Sequence, residues 1–61
     1  MPVDEAIKVL RLPRNYTQKD VERQFDLFFT ANDPVKGGSL YLQCKFIAAK
    51  EALLESLHKK P

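Results

Sequence analysis

The sequence predicts an all-α fold: a short helix followed by an antiparallel hairpin of two longer ones. Apolar residues recur at three- and four-residue spacing in three separate stretches, the pattern of helices that bury one side. Proline- and glycine-bearing breaks at Leu12-Pro13 and from Asn32 to Gly38 divide those stretches. Sixty-one residues, 44% of them hydrophobic and 30% charged, make one globular domain near the lower size limit for folding without staples.

Val3, Ala6, Ile7 and Leu10 share one side of the first helix, with Asp4 and Glu5 in the first turn, where negative charge complements the helix dipole. Leu12-Pro13 ends it, and Arg14-Asn15-Tyr16 is linker. Thr17 opens the second helix, with Asp20 three residues on in a variant of the capping box. Val21, Phe25, Phe28 and Phe29 form its apolar stripe through about Ala31, and the three phenylalanines read as the main mass of the core.

Asn32 to Pro34 stops that helix, because proline lacks an amide donor and disfavours the α conformation of the residue before it. Gly37-Gly38 permits a tight reversal, and Ser39 is placed to cap the third helix. That helix runs from about Leu40 to His58, roughly 28 Å at 1.5 Å per residue. Leu42, Phe46, Ala49, Leu53 and Leu57 define its main stripe; Leu40, Ile47 and Leu54 define a second, rotated by roughly 100–140°. Two stripes need two neighbours. One is the second helix, and the other is either the first helix or a partner protein.

Composition excludes several classes of function. Ten basic residues against eight acidic give a net charge of +2, too small and too scattered to imply nucleic acid or anionic lipid. No apolar run approaches the roughly 18 residues of a membrane span. His58, beside Lys59 and Lys60, reads as a mild partner of the helix C-terminal dipole. Cys44 reads as a half-buried inert thiol, and with His58 it falls short of the four ligands of a structural zinc site. Lys36 precedes Gly37-Gly38, so no phosphate-binding loop exists. The expectation is no enzyme, no catalytic residue, no cofactor and no metal. A core this small makes a binding partner thermodynamically attractive.

A helix, a longer helix, a loop ending Lys36-Gly37-Gly38-Ser39 and another long helix resemble a J domain. Gly37-Gly38-Ser39-Leu40-Tyr41-Leu42-Gln43, followed by Lys45 and Ala49-Lys50-Glu51, is similar to the J-like subunit family of the mitochondrial protein-import motor. Glu5-Ala6 and Leu10, and Asn32-Asp33 after the phenylalanines, are similar as well. Cys44, in place of the family's usual serine, and a retained Pro34 are departures. The resemblance covers essentially the whole chain. It implies one J-like domain over residues 1–61, excised from a longer membrane-associated protein.

In a working J domain the loop presents His-Pro-Asp beside a basic second-helix face and so stimulates a DnaK-type chaperone ATPase. Here those three positions are Asp33, Pro34 and Val35, so both ionisable groups have been replaced. From Lys19 to Asp26 two basic residues face three acidic ones, which weakens or reverses attraction to an acidic chaperone surface. The resemblance implies a heterodimer with the active J protein on the matrix side of the mitochondrial inner membrane. That pairing tethers the J protein to the translocase and restrains its stimulation of the chaperone. Leu42 corresponds to a leucine important for pairing in the family, yet its place on the main stripe leaves core and contact both open. Tyr41 lies off the stripe and suits an interface anchor. Asn32, Asp33 and the Gly37-Gly38 backbone serve either as polar contacts or simply as helix stop and turn. The competing readings are a divergent cochaperone acting directly on the chaperone, with Pro34 as a remnant, and a nucleic-acid module, for which Lys59-Lys60 is the only basic pair of its kind.

Overall fold

A computed structural model describes residues 1–58. It contains α1 (Val3–Val9), α2 (Gln18–Ala31), a 3-10 turn (Pro34–Lys36) and α3 (Leu40–His58), so the described chain is all-helical. α3 is the central element: α1 and α2 each pack against it, and the molecule is an elongated body of 41 × 18 × 16 Å.

Helix termini follow local chemistry closely. Thr17 Oγ1 accepts from Asp20 N–H at 3.4 Å while Asp20 Oδ2 accepts from Thr17 N–H at 2.9 Å, a complete capping box. Ser39 Oγ accepts from Leu42 N–H at 3.2 Å and opens α3. α1 stops at Val9, before Leu12-Pro13. Arg11 turns into the left-handed region (φ 53°), and two bonds close the end: Arg11 N–H to Lys8 O at 3.2 Å and Leu12 N–H to Ile7 O at 3.0 Å. This is a Schellman closure with arginine where glycine is the usual occupant.

The core is Ala6, Leu10, Leu12, Val21, Phe46, Ala49 and Leu53. The expectation that Phe25, Phe28 and Phe29 form its main mass is therefore corrected. They are half-buried, because α2 packs mainly against α3 and its large rings lie along the margin of that contact. Phe28 stacks on Phe46 with centroids 5.5 Å apart, and Lys50 Nζ sits 4.5 Å from the centre of the Phe25 ring. Small Ala6 and Ala49, both fully buried, let α1 and α3 approach closely.

Two glutamines tie the helices together. Gln43, buried at 7% exposure, donates from Nε2 to Phe29 O at 2.9 Å, linking α3 to the end of α2. Gln24 Nε2 donates to Leu10 O at 3.1 Å, linking α2 to the end of α1. Each satisfies a carbonyl near a helix end, where the regular bonding pattern runs out.

The second stripe of α3 does not receive α1. Val3 of α1 lines a groove with Ala48, Ala52 and Ser56, whereas Leu40 and Ile47 remain 65% and 38% exposed; only Leu54 packs against the core. Cys44 is exposed rather than half-buried, because it lies between Leu40 and Ile47 on that uncovered side. Lys59 and Lys60 lie outside the described residues. No described helix is long and apolar enough to cross a membrane.

Candidate partner-binding surface

The connection between α2 and α3 is held by its own atoms. Asn32 Nδ2 donates back to Phe28 O at 2.9 Å, and Asp33 Oδ1 accepts from Val35 N–H at 3.0 Å to start the 3-10 turn. Gly37, at φ 87°, closes that turn. Its N–H donates to Pro34 O at 3.1 Å, and Gly38 N–H donates to Asp33 O at 2.9 Å. A Cβ on Gly38 would fall on the backbone of Asn32, so no side chain fits there. The polar groups of Asn32 and Asp33 and both glycines thus have structural work of their own, as a stop and a reversal.

Besides Lys36, the side chains that the bend presents outward are largely apolar. Val35 is 93% exposed, Tyr41 71% and Leu42 37%. Leu42 was placed on the main stripe with Phe46, Ala49 and Leu53, yet it lies outside the core. The core does not reach the first turn of α3, and α1 ends at the level of Phe46. At that level Val9, Arg11, Phe28 and Phe46 line a cleft of about 320 Å³. Leu42 and Phe46 are four residues apart and share a helix face, so cleft and Leu42 adjoin.

The surface has little to offer an acidic partner through α2. Arg23 Nη2 is 3.2 Å from Asp20 Oδ1, which leaves Lys19 as the other basic residue on the first two turns. Among the described residues no group of three His, Cys, Asp or Glu side chains could hold a metal ion. His58 is exposed at the end of α3, far in sequence from the bend.

Sequence reasoning does not single out Val9, Arg11 or Gln24, and it names Gln43 only as part of the Gly37 to Gln43 motif, without the bond it makes. Gln43 was legible in principle, as an amide beside the stripe that carries Phe46. Arg11 carried no signal, because its residue type gives no hint of left-handed backbone.

The Pam16 family model matches residues 1–61, the full chain. The chain belongs to the Pam16 family. It is 42% identical over 65 residues to a Neurospora crassa protein named mitochondrial import inner membrane translocase subunit tim16, covering 98% of this chain and 46% of that one. It is 35% identical over 57 residues to proteins of corresponding name in Caenorhabditis briggsae and Danio rerio, covering 93% of this chain and 41% and 43% of theirs. The chain thus spans less than half the length of these Pam16-family relatives. No solved structure matches it. These relatives are named as mitochondrial import inner membrane translocase subunits.

Proposed function

We propose that this domain is a non-catalytic J-like regulatory subunit of the mitochondrial protein-import motor, associated peripherally with the matrix side of the inner membrane. It pairs one-to-one with the active J-domain protein, tethers that protein to the translocase, and restrains its stimulation of the DnaK-type chaperone. The relatives' names support the setting.

One observation carries the pairing: the bend presents Val35, Tyr41 and Leu42 to solvent, with Asp33 and Val35 where a working J domain has His and Asp. Asp33 is engaged by Val35 N–H, and a valine side chain offers no acceptor. Such a bend has lost the groups that act on a chaperone and gained an apolar surface suited to another protein.

Titration calorimetry with the active J domain tests the reading, and the expected result is a one-to-one complex. Added to a J-stimulated chaperone the domain lowers ATP turnover, and added alone it leaves turnover at the basal rate. A rise in turnover with this domain alone refutes the proposal and favours a cochaperone acting directly. Leu42→Trp keeps its helical circular dichroism while affinity for the J domain falls about tenfold or more, as for a central contact. Helicity lost together with affinity would return Leu42 to the core.

A further inference from the structure

We infer that Arg11 and the cleft beside it form a second half of the pairing surface, which takes an apolar side chain next to a carboxylate on the partner J domain. The inference rests on the pairing proposed above and extends it to α1, which the loop and α3 do not involve. Two independent observations lead to it.

The first is backbone strain. Arg11 is the only non-glycine residue with positive φ among the described residues, and it holds the closing position of a Schellman end, where glycine is free of penalty. A chain that keeps arginine in a left-handed conformation gives up stability there, and such outliers concentrate at binding sites. Gln24 fixes the corner by donating to Leu10 O, so the position of Arg11 is set by two helices rather than one.

The second is the cleft. Val9, Arg11, Phe28 and Phe46 line it, with Phe28 stacked on Phe46 and Arg11 exposed. About 320 Å³ is ample for a leucine- or phenylalanine-sized side chain, and the half-buried Phe28 ring at its edge favours an apolar occupant. The Arg11 side chain has no hydrogen-bond or ion-pair partner among the described residues, so its charge is available at the rim. A guanidinium beside an apolar slot recognises a carboxylate flanking the inserted group, and its planar fork rewards bidentate geometry. Because Phe46 is one turn from Leu42, the cleft continues the surface formed by Leu42 and Tyr41.

The test exploits effects of opposite sign. Arg11→Gly relieves the left-handed strain, so its thermal midpoint rises or holds; affinity for the active J domain falls at least about tenfold, the scale of a lost charge-assisted contact. Arg11→Glu weakens binding further, and Arg11→Lys recovers part of it. The salt dependence of binding flattens in Arg11→Gly relative to the parent. Phe28→Leu enlarges the cleft and weakens binding while leaving that salt dependence unchanged. A parent domain that fails to bind the J domain overturns the pairing itself. A parent that binds, with Arg11→Gly and Arg11→Glu binding equally well, overturns only the role of Arg11 and its cleft.

Discussion

The two reversals of this chain close with the same backbone bonds and opposite choices of residue. After α1, the amides of Arg11 and Leu12 reach back to Lys8 and Ile7; after the 3-10 turn, those of Gly37 and Gly38 reach back to Pro34 and Asp33. Both put one residue at positive φ, 53° in the first corner and 87° in the second. The second corner uses glycine and has no room for anything else at the next position. The first uses arginine, which costs about 1 kcal/mol in that conformation. Glycine solves a packing problem in one place, and in the other a charged side chain occupies a site that packing does not require. The comparison separates positions that the fold dictates from positions where the fold merely tolerates a residue.

Substitutions at the two corners test this contrast. Gly38→Ala has the largest effect, because its Cβ meets the Asn32 backbone, which cannot move without displacing the end of α2. A loss of about 3 kcal/mol is expected in urea denaturation, a large fraction of the stability of so small a domain. Gln43→Ala comes next, at about 1.5 kcal/mol, because it leaves Phe29 O without its buried donor. The matching Gln24→Ala, at a half-buried rather than buried glutamine, costs roughly half as much by the same measurement. Gly37→Ala costs about 1 kcal/mol, the left-handed penalty net of the entropy that alanine removes from the unfolded chain. Smallest, and opposite in sign, is Arg11→Gly. Relief of strain exceeds the added unfolded-state entropy, and the denaturation midpoint shifts to indicate a gain of about 0.5 kcal/mol. Equal losses at Gly37 and Arg11 would dissolve the distinction between the corners.

The two ends of α3 repeat the lesson. In its middle Phe46, Ala49 and Leu53 are covered from two sides by α1 and α2. In its first turn Leu40, Tyr41 and Leu42 are 65%, 71% and 37% exposed. The sequence pattern is the same along the helix; the burial is not. A stripe records which residues share a side, and the length of the neighbours decides how much of that side is covered. That is why Leu42 shares a stripe with core residues and yet lies outside the core.

Local rules written in the sequence determined much of this protein: three helices, the capping box at Thr17, the cap at Ser39 and the glycine reversal. Each depends on residues within a few positions of one another, so a linear reading suffices. The resemblance of Gly37 to Lys45 likewise pointed to the family that the comparisons establish. Only the tertiary structure decided which stripe of α3 faces α1, how the phenylalanines sit at the margin, and that Gln24 and Gln43 bind carbonyls fourteen positions away. It also decided that Arg11 turns left-handed beside Phe28 and Phe46. These outcomes depend on where one helix stops against another, a competition among long-range contacts that no local window contains.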